Sequence, residues 1–306
     1  MRVVFFGTPV WAVPTLEALL DAGADVTAVV TNPDRPSGRG MKLAASPVKQ
    51  TAVGRGIDVI QERARDPVLA DRLSGLVPDV AVVVAYGSIL PGSLLAIPAK
   101  GFVNLHFSLL PLYRGAAPVQ RAIMNGDDVT GASVMVLTEG MDEGPVLATF
   151  ETPIHHDDTA GTLGERLASA GALLLVDAVR AYVAGELEPV PQDHERATYA
   201  PKIETDDARI DWSLPARVVR DLVRALDPQP GAWTMLGDAR VKVWRVSPVP
   251  NRRLDPGRLA LDGGLLVGTG DDALRLDEVQ PATKRRMSGE DLARGLHLDG
   301  TERMGA

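Results

Sequence analysis

A doubly wound, Rossmann-like α/β domain followed by a small antiparallel β-barrel is predicted by three features of this 306-residue chain. Runs rich in β-branched residues, DVTAVVT at 25–31 and DVAVVVA at 79–85, alternate with segments whose apolar residues recur at helical spacing. That is the pattern of a parallel sheet covered on both faces. From 188 to 205 the periodicity is lost and proline and polar residues gather, EPVPQDHERATYAPKIET. Beyond it, short apolar runs recur between turn signals, as in a small barrel. The expected boundaries are therefore an N-terminal domain at 1–187, a linker at 188–206 and a C-terminal domain at 207–306.

Arg2 to Phe6 reads as the first buried strand, ended by a Gly-Thr-Pro turn, and Trp11 to Leu20 as a helix. Further strands are expected at Asp25 to Thr31, Asp58 to Ile60 and Asp79 to Ala85. Asn32 to Ala45 is longer than the roughly two to six residues usual between a strand and a helix. It carries Arg35, Arg39 and Lys42 against one acid, Asp34, which on residues alone reads as a solvated loop. Ser46 and Pro47 then read as a helix N-cap and first helical residue. Thr130 to Leu137 and Pro145 to Ile154 are expected to pair as strands around Gly140 to Gly144, and Thr159 to Tyr182 to form the helix that closes the domain. In the C-terminal part a helix is expected over Pro215 to Leu226, then strands at WTML, RVKVWRVSPV, GRLALD, GLLVGTG and ALRLDEVQ.

The composition, 45% hydrophobic and 24% charged, is that of an ordinary globular protein. No cysteine is present, which excludes disulfides, thiolate catalysis and cysteine-ligated zinc. The apolar N-terminus is interrupted by Gly7-Thr8-Pro9, Pro14 and Glu17, so a first core strand is expected rather than a secretory leader. No continuous apolar run approaches the roughly 18 to 20 residues of a membrane span, and a cytoplasmic protein is expected. A net charge of −8 argues against a general nucleic-acid coat. His155-His156-Asp157-Asp158 does not read as a metal site, because adjacent side chains on a strand point to opposite faces and no third ligand is evident. The first turn, Gly-Thr-Pro-Val-Trp-Ala, lacks the Gly-x-Gly-x-x-Gly of dinucleotide binding.

Chemistry concentrates in GFVNLHFSLLPLYRGAAP at 101–118 and MVLTEGMDEGPV at 135–146. Asn104 and His106 lie two residues apart on an expected strand, so both side chains face the same way and can converge on one small group. A neutral amide donor beside an imidazole suits an oxyanion site, and the nearby carboxylate of Asp142 can orient the ring or relay a proton.

These strings, with FFGTP at 5–9, NPDRPSGRG at 32–40, SPVK at 46–49, VVAYGSILP at 83–91, ARIDWS at 208–213, GAW at 231–233 and KVW at 242–244, resemble the folate-dependent formyltransferases nearly end to end. The similarity is greatest to the branch that acts on methionyl initiator tRNA. It implies transfer of a formyl group from 10-formyltetrahydrofolate to the α-amino group of the esterified methionine, without a metal, a membrane or an obligate protein partner. By the same resemblance the barrel is OB-like, Asn104 and His106 stabilise the formyl oxygen and Asp142 relays the proton. The folate is expected along Tyr86, Gly87, Ile89 and Leu90, over a floor of Ser108, Leu109, Leu110 and Pro111. Contacts to tRNA are expected from Arg35, Arg39, Lys42 and Arg114, and from Lys242, Lys284, Arg285 and Arg286, although KRR on residues alone is a solvated surface.

Two positions depart from the family pattern: Leu112 stands where an arginine is usual, so its contact is either lost or supplied elsewhere, for which Arg114 is the candidate, and Glu143-Gly144-Pro145 replaces Thr-Gly-Asp. The alternatives are a formyltransferase for a small-molecule amine, disfavoured by the NPDRPSGRG loop and the tryptophans at 212, 233 and 244, and a non-catalytic tRNA-binding protein, disfavoured by the intact Asn, His and Asp set.

Overall fold

A computed structural model describes residues 1–37 and 42–305. The chain forms two units, each built from separated segments. Met1–Pro118, Val129–Pro153 and Gly164–Pro201 make the first, and Val119–Asp128, Ile154–Leu163 and Lys202–Ala306 make the second. The stretch expected as a linker is thus divided, and its residues up to Pro201 fold with the first unit.

The first unit holds β1 (Arg2–Gly7), β2 (Asp25–Val30), β3 (Arg35–Ser37), β4 (Lys42–Ala44), β5 (Val59–Ile60), β6 (Val80–Val84), β7 (Phe102–His106), β8 (Val129–Val136) and β9 (Val146–Pro153). Seven of them form one sheet in the order β5-β2-β1-β6-β7-β8-β9, and β3 and β4 pair as a separate hairpin. Pairing is parallel from β5 to β7 and antiparallel from β7 to β9. All five residues of β6 and of β7 are buried; β6 reads as a continuous apolar run, whereas β7 carries Asn104 and His106 among apolar neighbours. The chain winds outward from β1 in one direction and returns through β6 in the other. The carboxyl ends of β1, β6 and β7 therefore flank the switch point where such sheets bind ligands.

Helices α1 (Val13–Asp21), α2 (Pro47–Gly54), α3 (Pro67–Leu76) and α4 (Gly92–Leu95) connect the strands. Ser46 caps α2 by accepting the Lys49 amide at 3.1 Å, and Asp66 caps α3 in the same way. After α5 (Pro118–Asn125) comes α6 (Ala160–Ala184), whose Leu167, Ala172, Leu175 and Val179 are buried. At 25 residues α6 is long and apolar enough to cross a membrane by length and composition, which the sequence reading did not anticipate. Its apolar face is instead engaged within the protein: a Cβ on Gly171 would stand 2.9 Å from Leu105 Cδ1 of β7. Phe6, Tyr86 and Phe102 form a ring cluster on the sheet, with centroids 5.3 and 5.2 Å apart, that seats the segment following β6.

In the second unit α7 (Ala216–Ala225) precedes β10 (Ala232–Leu236), β11 (Ala239–Val249), β12 (Leu259–Leu261), β13 (Leu265–Gly268), β14 (Ala273–Pro281) and α8 (Gly289–Leu296). The five strands form one antiparallel sheet in the order β10-β11-β14-β13-β12. Its end strands do not pair with each other, so the sheet is not closed among the described residues. The core is built on Trp212, Val219, Val223, Val243, Leu265, Leu274 and Leu292. The Trp212 indole N–H is satisfied by Thr234 Oγ1 at 2.9 Å.

Candidate active site

A cavity of about 520 Å³ opens at the carboxyl ends of β6 and β7, lined among others by Val83, Tyr86, Leu90, Asn104, His106, Leu137 and Asp142. Asn104 and His106 are the third and fifth residues of β7, and both line the cavity, as their spacing requires. They are 9% and 6% exposed. Register sets their height: Asn104 pairs with Val83 on one side and Met135 on the other, and His106 with Ser133.

His106 Nε2 lies 2.9 Å from the Tyr113 carbonyl oxygen. A carbonyl only accepts, so this nitrogen carries hydrogen, and Nδ1 is the ring atom turned to Asp142, 3.6 Å from Oδ2. The same Oδ2 accepts the Gly115 amide at 2.8 Å. Gly115 has φ +122, and a Cβ there would stand 2.7 Å from the Ala200 carbonyl oxygen, so the close approach needs glycine. Asp142 itself has φ 51, a left-handed conformation that aspartate tolerates better than most residues. The Asn104 side chain makes no hydrogen bond within the described residues, although it is nine-tenths buried and faces the cavity.

Tyr86, Gly87, Ile89 and Leu90, the expected folate segment, line the cavity together with Ala85, Ser88 and Leu95. Their backbone is held from below: Asn32 Nδ2 donates to the Tyr86 carbonyl at 2.7 Å and to Thr8 Oγ1 at 3.0 Å. Burial raises the Tyr86 hydroxyl above its ordinary value, keeping the side chain neutral. Leu137 to Met141 complete the wall beside Asp142.

The segment expected as the folate floor lies beside the cavity wall rather than in it. Ser108, Leu109, Leu110 and Pro111 are not among the residues lining the cavity. Ser108 is fully buried and its Oγ donates to the Leu112 carbonyl at 2.6 Å, while Ser133 Oγ bridges the Leu110 amide and the Ser108 carbonyl. These bonds close the turn that follows Phe107, which itself lines the cavity.

Arg114, expected among the tRNA contacts, is 1% exposed in this structure, its guanidinium engaged within the fold. Nε and Nη2 donate to Gln192 Oε1 at 3.1 and 2.7 Å, Nη2 lies 3.2 Å from His194 Nδ1, and Nη1 is 3.8 Å from Glu143. Gln192, which the sequence reading missed, donates in turn to the Asp142 and Gly144 carbonyls at 2.8 and 2.7 Å.

Of the other basic residues, Arg35, Lys284 and Arg285 are exposed. Arg39 and the Lys42 side chain lie outside the described residues. Lys242 Nζ donates to the Pro230 carbonyl at 2.6 Å and sits 5.3 Å from the Trp244 ring centroid. Arg286 stacks on the same ring at 3.8 Å and pairs with Asp227 and Glu278. Among the described residues no cluster of three or more His, Asp or Glu side chains could hold a metal ion.

A formyl transferase family model matches residues 1–179, and a formyl transferase C-terminal domain model matches 202–297. A methionyl-tRNA formyltransferase of Thermobifida fusca is 50% identical over 308 aligned residues, covering 100% of this chain and 99% of that protein. One from Streptomyces coelicolor is 48% identical and covers 100% of both. Among solved structures, HypX from Aquifex aeolicus in complex with tetrahydrofolic acid superposes with TM-score 0.65 at 20% identity, over 96% of this chain and 47% of that one. This chain thus spans about half the length of HypX. An N-formyltransferase from Helicobacter canadensis, bound to folinic acid and dTDP-3-aminofucose, gives TM-score 0.68 at 17% identity over 93% and 100% of the two chains. At those identities the structures share the fold.

Proposed function

This chain belongs to the formyl transferase family, and we infer that it transfers a formyl group from 10-formyltetrahydrofolate to the α-amino group of methionine on initiator tRNA, for translation initiation. The observation that carries the reading is the unpartnered Asn104 amide beside His106 and Asp142 in one cavity.

The cavity suits the donor. Its apolar side chains, Val83, Leu90, Leu95 and Leu137, match a flat ring system, and the chain segments 85–90 and 138–142 offer backbone groups around them. The folate is a cosubstrate that supplies the formyl group, and Asn104 and His106 act where that group is delivered. An α-amino group has a reference pKa of about 8. A neutral fraction is therefore present near pH 7, and the site has no strong base to provide.

When the amine adds to the formyl carbon, charge develops on the formyl oxygen. The Asn104 amide donates to it, already fixed on a buried strand and without a competing partner. His106 presents Nδ1 to the site, because Nε2 is held by the Tyr113 carbonyl, and it donates to the formyl oxygen as the imidazolium, with the Asp142 carboxylate as its counter-charge. Asp142 receives the proton that the new ammonium must lose and passes it toward the departing folate nitrogen, directly or through water. Its Oδ2 is kept in place for this by the Gly115 amide.

Contacts to tRNA are assigned to Arg35, Arg39 and Lys42 in the long loop after β2, and to Lys284 and Arg285 in the second unit. Lys242 and Arg286 shape that surface around Trp244. The antiparallel sheet of the second unit supports an OB-like reading, a fold suited to binding single strands and their junctions. A protein that acts on charged tRNA works in the cytoplasm.

Formylation is tested with 10-formyltetrahydrofolate and three acceptors: initiator Met-tRNA, elongator Met-tRNA and free methionine. Product on the initiator alone is expected. Product on none of them, with folate bound, would overturn the tRNA reading and favour a small-molecule amine.

A further inference from the structure

The geometry points to Arg114 and Gln192 as a buried clamp that positions Asp142 for proton transfer, an inference that rests on the formyl-transfer reading above. Asp142 is gripped at both ends by neighbouring residues. The Gly115 amide takes its carboxylate at 2.8 Å, and the Arg114 side chain reaches its backbone through Gln192. Gln192 is 8% exposed and uses both ends of its amide: Oε1 accepts two bonds from Arg114, and Nε2 donates to the carbonyls of Asp142 and Gly144.

Those two carbonyls straddle Glu143, so the pair fixes the orientation of the turn that carries the carboxylate. The need for a fixture is visible in the turn itself. Asp142 adopts φ 51, and its neighbours Met141 and Glu143 are exposed. Little packing therefore holds the turn from outside. A buried arginine must also be matched by acceptors; here Gln192 Oε1, His194 Nδ1 and Glu143 surround the guanidinium. The loop thereby gains a rigid contact from a segment some 50 residues later in the chain.

These are positioning residues: neither Arg114 nor Gln192 lines the cavity. A carboxylate displaced by about 1 Å loses on the order of 10²-fold in rate, while the binding of either substrate is left alone. The structure thus predicts a fall in kcat with little change in KM, together with a local loosening at Gly115.

The test uses the full chain with Gln192→Met, which keeps the length of the side chain and removes its hydrogen bonds. Gln192→Glu is run beside it. It keeps an acceptor for Arg114 and loses the donor to the turn. Both are expected to lower kcat at least about tenfold, with KM for folate and for tRNA within about threefold of the parent. Amide exchange at Gly115, read by mass spectrometry or NMR without substrate, is expected to accelerate in both. Unchanged kcat with unchanged Gly115 exchange would overturn the clamp, as would a uniform rise in exchange across the unit, which marks global destabilisation. Arg114→Lys, which keeps the charge and loses the fork, is expected to lower kcat and to accelerate Gly115 exchange relative to the parent, and it carries the test should the glutamine variants not fold. Failure of the parent to formylate any tRNA would instead refute the functional reading, and the exchange at Gly115 would still report on the clamp.

Discussion

The Asp142 carboxylate stands 3.6 Å from the His106 imidazole, Oδ2 to Nδ1, while the opposite ring nitrogen is held by the Tyr113 carbonyl. The ring is thus fixed from behind and offers one defined nitrogen to the carboxylate. Asp142→Asn keeps an oxygen for the Gly115 amide and removes only the charge. It is expected to lower kcat by about 10²-fold or more, the usual scale of a missing general acid or base, with folate KM near the parent value. Steady-state kinetics with saturating tRNA decide it, and a kcat within a factor of about three of the parent would remove Asp142 from the proton path.

Asn104→Ala separates catalysis from stability. Removing a buried polar group usually strands its partner, but the Asn104 side chain has none among the described residues and faces open cavity. The variant is expected to melt close to the parent temperature while losing about 10²- to 10³-fold in kcat, the scale of one oxyanion donor. A pronounced drop in Tm with kcat preserved would make Asn104 a structural residue.

Lys284, Arg285 and Arg286 are all exposed, but Arg286 is also stacked on Trp244 and ion-paired. The double variant Lys284→Ala, Arg285→Ala is therefore expected to raise KM for tRNA and to flatten its salt dependence. The slope of log affinity against log salt changes by about 0.9 for each duplex phosphate that the protein no longer neutralises. Folate binding stays unchanged. Arg114→Ala, buried and away from phosphate, is expected to lower kcat without altering that slope. An unaltered slope in the double variant would return these residues to plain solvated surface.

Much of the fold is legible in the sequence because burial on both faces leaves a strong mark. β6 is an apolar run bounded by turns, and in β7 the period of two places Asn104 and His106 on one face. Legibility fails where long-range contacts decide. Gln192 sits in a stretch without periodicity, and its part depends on carbonyls 48 and 50 residues earlier. Arg114 advertises charge in the sequence but not burial, so it reads there as a phosphate ligand. Ser108 to Pro111 carry the motif string, and what the structure shows of Ser108 is a turn held by its hydroxyl. A motif records that residues are needed together. It does not record which of them meet the substrate.

The base of the long loop is pinned by Asp34, immediately before β3, and this gives a prediction in pH. Lys49 Nζ donates to its two oxygens at 2.7 and 2.9 Å, and Gln61 Nε2 to one of them at 2.9 Å. The hydrogen bond from Lys49, then that from Gln61, holds the carboxyl below its ordinary value of 3.8. An acid whose folded value is depressed stabilises the fold above its unfolded value, and that contribution disappears as pH falls through the lower folded value. Asp34→Asn removes the charge at every pH. The gap in Tm between parent and variant is therefore expected to be constant from neutral pH down to about 4 and to close below it. Other carboxylates titrate in both proteins, so the difference isolates Asp34. Thermal melts of the pair from about pH 7 to about pH 3 read it out. A gap that persists unchanged at the acid end would mean that the Lys49 contact does not distinguish folded from unfolded Asp34, and that the loop is anchored by backbone pairing alone.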